Sequence, residues 1–261
     1  MGVKEILQEG NQANDQGGKK YSRIYGEKAL MTKDDYEIFY PIKRGIIEDF
    51  DSVKYCWQHL LSHKSMHNQT KLDILVTDSP LNSKENKMKM TEYLFDRMKE
   101  HNIAIDSLNI MNSAVLSLFA SGRTSGVVIE SGEGITCAVP IFEGYALPHA
   151  IKSINVAGQD VTQSMLDSLV AQGVDIDNSN FEDVRKIKEQ MCSVAMSYDR
   201  SVNGHDPLDE EATSYELPGD KGIIRVDHKT RYAATELLFN PDIAGLKGPG
   251  VTQIAYDSIQ K

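Results

Sequence analysis

No apolar run in this sequence reaches the roughly 18 residues that a membrane-spanning helix needs. The opening MGVKEILQEG has no apolar h-region, so no secretory signal is read there. Gly2 follows Met1, but position 6 holds Ile6, which breaks the N-myristoylation pattern. Cysteine is scarce: Cys56, Cys137 and Cys192 are the only three, with no CxxC pair and no Cys/His cluster at metal spacing. An odd, sparse count excludes a disulfide framework and points to a reducing compartment. Basic residues are outnumbered, 28 Lys and Arg against 38 Asp and Glu, for a formal net charge of -10. That excess argues against direct binding to nucleic acid, which needs clustered cations. The expected location is the cytoplasm, with the nucleus as the alternative.

What is present suits a folded protein. The 261 residues are 40% hydrophobic and 25% charged, enough for one large domain or two smaller lobes. Residues 9–20, EGNQANDQGGKK, read as a flexible arm. Short aromatic and aliphatic clusters over 21–40 suggest small strands. PIKRGIIEDFD runs extended from Pro41 into a helix near Asp51, whose apolar side is expected to carry Tyr55, Trp57, Leu60 and Leu61. LDILV at 72–76 reads as a strand. After Pro80, Asn82 or Ser83 is placed to cap a helix running to about Glu100 that buries Tyr93, Leu94 and Met98. Leu108–Ile110 is a second strand, and Ser113–Ser121 a helix stopped by Gly122.

The most informative stretch follows. Gly126–Glu130 reads as a buried strand, Ser131-Gly132-Glu133-Gly134 as a tight turn, and Ile135–Pro140 as the returning strand. Helical patterns are expected over Asp160–Gln172 and Phe181–Tyr198. The second places Val184, Ile187, Met191, Val194, Ala195 and Tyr198 on one face. Residues 214–232 read as short strands, and a last helix is expected around Pro241–Leu246. Strands mixed with helices make an α/β protein.

The segment SAVLSLFASGRTSGVVIESGEGITCAVPIFEGYALPHAI, from 113 to 151, resembles the central signature of actin. YPIKRGIIEDFD, DSPLNSKENKMKMTEYLF, VRKIKEQMCSVA, SYELPGD and TELLFNPDIAG flank it in the order that actins show. The resemblance runs from about Lys20 to Lys261. It implies an actin-like ATPase-domain (ribonuclease H-like) fold, two lobes closing on ATP, truncated at both ends. No first phosphate turn is read before residue 20, and a Gly-Gly segment is expected to be missing after YDSIQK. The implied organisation is a flexible arm over 1–20 and a first lobe over 21–120. That lobe has a small subdomain 2-like part at 21–40 and a subdomain 1-like part at 41–120. The second lobe, 121–261, has a subdomain 3-like part at 121–154 and 245–261, and a subdomain 4-like part at 155–244.

The resemblance also implies site residues. Gly132, Glu133 and Gly134 fall on the second phosphate turn, where glycine lets backbone approach a phosphate. The plain alternative is a solvated acidic turn. Glu130 and Glu133 replace aspartates, so support of Mg²⁺ is retained in charge. The extra methylene shifts each carboxylate by about 1 Å, and such a misplacement can cost about 10²-fold. Arg185, Lys188 and Glu189 match adenosine-side positions, and their i, i+3, i+4 spacing puts them on one helix face. A solvated charged face with an internal ion pair is the alternative. Gly158 matches a backbone-approach position, while Gln159 stands where the family has arginine. The water-orienting glutamine falls at Ser113 and its partner histidine at Cys137. Neither replaces the original chemistry, so no catalytic residue is assigned and ATP hydrolysis is expected to be weak or absent. Arg44 replaces a histidine that actins methylate, and is expected to pair with Glu48 or Asp49. His59, His63 and His67 read as a polar stripe.

These matches imply an actin-like cytoskeletal protein binding ATP with Mg²⁺ in the inter-lobe cleft, a pseudo-ATPase in effect. The alternative is a non-polymerising actin-related scaffold that does not depend on ATP turnover. Expected partners are actin, actin-binding proteins or other subunits of an assembly, with no nucleic acid and no membrane.

Overall fold

The computed structural model describes residues 24–26, 28–29, 38–62, 71–101, 103–203, 213–217 and 222–261. The expected arm at 1–20, most of 21–40, His63 and His67 lie outside the described residues. The chain divides into two units, Met1–Met111 and Asn112–Lys261.

In the first unit, β1 (Ile42–Lys43) and β2 (Ile46–Ile47) form a hairpin pairing Ile42 with Ile47 and Lys43 with Ile46. Its two-residue turn is Arg44-Gly45, with φ of 49° and 75°. Two left-handed residues give the twist that a tight hairpin requires, and Gly45 meets it without strain. Lys43 lies 3.1 Å from Glu48, and the Asp49 carboxylate caps the next helix.

Helix α1 (Phe50–Leu61) starts where Asp49 accepts the Ser52 N–H at 3.1 Å. A hydrogen bond from the Ser52 hydroxyl also holds the Asp49 carboxyl below its ordinary pKa. The helix buries Val53 and Cys56 and packs Trp57 and Leu61 inward; Leu60, expected on that side, is 58% exposed. Strand β3 (Leu72–Asp78) leads to α2 (Lys84–Glu92), whose N-cap is Ser83, accepting from the Asn86 N–H at 3.1 Å. Past Glu92 the helix widens into a π turn over Tyr93–Arg97 and then tightens into a 3₁₀ turn over Met98–His101. Leu94 and Met98 still land in the core with Leu72, Ile103 and Ile105, each worth about 1.5–3 kcal/mol of burial. Strand β4 (Ile105–Asn112) completes a two-stranded sheet with β3.

The second unit opens with α3 (Ser113–Ala120), capped by Asn112, which accepts the Ala114 N–H at 2.9 Å, and ended by Gly122 at φ 75°. Strands β5 (Gly126–Ser131), β6 (Thr136–Phe142) and β7 (Tyr145–Ala146) run in that order, and β8 (Lys152–Ile154) also pairs with β6. β6 is buried over six successive residues, as a central strand should be. β5, expected to be buried, has no fully buried residue, because it pairs on one side only among the described residues. Beyond the sheet, α4 (Gly158–Ala171) and α5 (Phe181–Met191) pack against each other.

The chain then leaves the expected course. α5 ends at Met191 with Cys192 already extended, so the long apolar face to Tyr198 does not form and Val194 is 57% exposed. Tyr198 instead begins the short α6 (Tyr198–Val202). Strands β9 (Thr213–Glu216) and β10 (Ile223–Val226) make an antiparallel pair. Residues expected to continue as strand form α7 (His228–Glu236), capped by Asp227, which accepts the Thr230 N–H at 2.7 Å. Pro241–Ala244 is only a 3₁₀ turn; the last helix is α8 (Val251–Ile259). Met165, Leu169, Val184, Ile187, Leu217 and Ile224 anchor one core. Ala138, Ile154, Val156, Leu237 and Ile254 form another, under α8.

Candidate functional site

The turn between β5 and β6 is fixed from below. Register pairs Ser131 with Thr136 and Glu130 with Cys137, and the Gly132 N–H donates to the Ile135 carbonyl at 3.0 Å. Thr136 is fully buried. Its hydroxyl lies 2.8 Å from the Ser131 hydroxyl and donates to the Val156 carbonyl at 2.7 Å. That bond ties the base of the turn to the segment that leads from β8 into α4.

The start of α4 then closes on the turn. The Gly158 N–H donates to Gly132 O at 2.9 Å, and the Gln159 N–H to Glu133 O at 2.8 Å. Two amides that a helix leaves unpaired at its first turn are thereby used to hold the hairpin. The N-cap, Ala157, has no acceptor side chain; Asp160 instead takes the Ala157 N–H at 2.9 Å. Approach is so close that a Cβ on Gly158 would stand 2.9 Å from Glu133 Oε2 and 3.1 Å from Gly132 O. Glycine at 158 is needed for that approach, not for any unusual φ.

Helix α5 reaches the same place. Lys188 Nζ donates to the Gly158 carbonyl at 2.9 Å. Arg185, one turn earlier, donates through Nε to Glu182 at 2.8 Å and through Nη1 to Glu189 at 3.2 Å. Burial draws the Arg185 pKa down, but Glu182, then Glu189 and Glu133, more than offset it, and the guanidinium is held above its ordinary value. Of the expected site residues, Gly132, Glu133, Gly158, Arg185, Lys188 and Glu189 are thus brought onto one connected face with Gly134 in the same turn. The ion pair named as the plain alternative is also present. Arg185 and Glu189 are paired to each other, and Lys188 is spent on backbone.

Glu130 lies below the turn and faces α3. Its Oε2 accepts from the Ser113 hydroxyl at 2.8 Å and its Oε1 from the Ser117 hydroxyl at 2.7 Å. Each oxygen of this proposed cation-supporting carboxylate thus accepts one hydroxyl hydrogen bond within the unit. Next to it, Cys137 is 1% exposed, and burial, with the Glu130 charge adding, pushes its thiol up to about 11. A protonated, enclosed thiol is no nucleophile at neutral pH. Among the described residues no three His, Cys, Asp or Glu side chains converge to hold a metal. This donor set does not fit a cation caged by protein alone.

Three participants escaped the sequence reading. Ser117 sits one turn after Ser113 on the same helix face, a spacing that could have flagged it. Glu182 stands three residues before Arg185 and could have been found likewise. Asp160 could have been read as the third helical residue after a cap. Among the described residues, no helix is long and apolar enough to cross a membrane. A model of the actin family matches residues 7–261.

Proposed function

Since this chain belongs to the actin family, whose members typically bind a nucleotide with a divalent metal, we propose that it is an actin-like protein binding ATP and turning it over weakly or not at all. The face would be the one built by Gly132–Gly134, Gly158 and α5. One observation carries the reading: Lys188 on α5 and Gly132 in the turn both hydrogen-bond Gly158, one through its carbonyl and one to its N–H. Such a joint fixes a glycine turn against the helix face that carries Arg185 and Lys188, bringing backbone and side-chain donors for phosphate and an attached nucleoside to one place.

Weak turnover follows from what surrounds Glu130. The two positions matched to water-handling residues hold Ser113, bonded to a carboxylate, and Cys137, buried and protonated. Neither can orient a water and relay its proton. Mg²⁺, when bound, would neutralise phosphate charge. With Glu130 held by two serines, its binding would rest on the phosphate oxygens of the nucleotide. Calorimetric titration with ATP and Mg²⁺ tests the proposal. The expected dissociation constant is weaker than about 1 μM, with phosphate release near the blank. Submicromolar binding that depends on Mg²⁺, or steady phosphate release, would overturn it.

A second reading, a non-polymerising scaffold indifferent to ATP, is favoured by the internal pairing of Arg185 with Glu182 and Glu189. Absence of any ATP heat, together with a failure to form filaments in ATP and Mg²⁺ by electron microscopy, would select it.

A further inference from the structure

Away from the turn, on the side of α4's C-terminal end, the loop after that helix and β10 line an open groove of about 620 Å³. That volume lies within the range of ligand sites, about 300–1,000 Å³. Its floor is apolar and well packed: Ile176, Leu217 and Ile224 are each less than a tenth exposed. Its rim carries Asp175 from the loop and Arg225 from the strand. No hydrogen bond or ion pair joins either of these two charges to another described residue.

Strand β10 shapes the remaining wall. Gly222, Ile223, Ile224 and Arg225 line the cavity in succession. Along this strand Ile223 and Arg225 face outward while Ile224 faces the core. A cavity touched by residues of both faces runs along the side of the strand, not over one face. β9 takes the other side through the pairs Ile223–Glu216 to Val226–Thr213. Among the described residues no strand takes the side that faces the loop, since the sheet is β10 with β9 only.

We propose that this groove binds an extended peptide segment by strand addition to β10. Main-chain groups of the peptide would pair with the open edge. An aliphatic side chain would rest over Ile176, Leu217 and Ile224, with one acidic and one basic residue meeting Arg225 and Asp175. Edge addition supplies affinity through backbone bonds, and pockets for alternate side chains supply selection. Opposite, unbridged charges on the two walls favour a partner strand bearing both signs over one of a single sign.

The test uses the full chain and two fluorescein-labelled pentapeptides, acetyl-Lys-Val-Ile-Val-Glu-amide and the isomer with Lys and Glu exchanged, because a strand can add in either direction. Fluorescence anisotropy should give saturable binding of at least one at roughly 1 mM or tighter. N-methylation of the central amides should weaken it about tenfold or more, since the edge bonds are lost. Arg225→Glu, an exposed change that breaks no internal bond, should weaken it by a similar factor and Asp175→Lys/Arg225→Glu should shift preference to the other isomer. No saturable binding by either peptide overturns the proposal. So does binding that survives N-methylation, which would make the groove a simple apolar site, or binding indifferent to Arg225→Glu.

Discussion

Lys188 Nζ and the carbonyl oxygen of Gly158 are 2.9 Å apart, although thirty residues separate them in sequence. Through this contact α5 holds the start of α4, and α4 in turn holds the glycine turn. Lys188→Met keeps the aliphatic stem and removes the donor. A hydrogen bond from a charged group contributes about 1.5–3 kcal/mol when buried. Lys188 is half-buried, so a loss of about 1 kcal/mol in urea unfolding is expected. Under the proposed function, ATP binding should fall further than stability does. Equal ATP affinity in the variant would remove Lys188 from the nucleotide face and leave it a structural role.

Gly158→Val tests the same junction from the other side. Its Cβ would meet the Gly132 carbonyl, which is backbone and cannot swing away as the Glu133 side chain can. Overpacking of that kind costs about 1–3 kcal/mol. The variant should lower the urea midpoint and raise proteolytic cutting at the turn. A midpoint equal to that of the parent chain would show that the approach of α4 to the turn is looser than 3.1 Å implies.

The clamp of Ser113 and Ser117 on Glu130 predicts coupled energetics. Ser117 is exposed, so Ser117→Ala alone should cost no more than about 1 kcal/mol. Ser113→Ala should cost somewhat more, being half-buried. In a double-mutant cycle with Glu130→Gln, the effects should fail to add by about 0.5 kcal/mol or more, as expected of residues in one network. Strict additivity would mean the hydroxyls and the carboxylate do not act together in solution.

The raised thiol at Cys137 gives stability a pH dependence. Its value in the fold is about 11 against an ordinary 9.0. Below pH 9 the thiol is protonated in both states and contributes its full share. Between about 9 and 11 the unfolded chain releases the proton and the folded chain keeps it, so stability falls as pH rises. Two pKa units correspond to about 2.7 kcal/mol at most. Cys192, also pushed up to about 11 by burial, adds a slope of the same sign. Cys137→Ala should flatten the fall between about pH 9 and about pH 11 without abolishing it; an unchanged slope would show that Cys137 is not enclosed.

Much of the site's framework was legible because it is local. The glycine turn, the flanking strands and the i, i+3, i+4 grouping of Arg185, Lys188 and Glu189 depend on neighbours in sequence. What the pattern hid depends on partners far away. His228–Glu236 has few large apolar residues, so periodicity is mute; Thr230, Tyr232 and Ala234 are buried in a helix against which α4 and α6 pack. Its cap, Asp227 with Thr230, was visible but followed an Ile-Ile-Arg-Val strand that invited continuation. The face expected to run to Tyr198 failed for the opposite reason: spacing persisted past Cys192 although the backbone had already turned extended. Pairing of Arg185 with acids on its own helix was open to the sequence, and which use the residue serves was not, since either use needs the same spacing.

The clearest single test of the fold lies at Gly250, the residue before α8. The Val251 N–H donates to the Leu238 carbonyl at 2.8 Å, drawing the two segments together. A Cβ on Gly250 would fall 1.8 Å from the Phe239 carbonyl oxygen and 2.5 Å from its carbon. Both are backbone atoms, so no rotamer relieves the clash. The start of α8 would have to move, taking Ile254 out of the core it shares with Ala138, Ile154 and Leu237. Gly250→Ala should therefore cost at least about 3 kcal/mol, the scale of forced overpacking joined to lost burial. Thermal melting followed by circular dichroism should show a drop of several degrees or an unfolded chain, whereas Gly173→Ala, with nothing within 4 Å of its Cβ, should show only the milder strain of its φ of 81°. If Gly250→Ala melts no lower than Gly173→Ala, α8 does not pack on β6 through this junction.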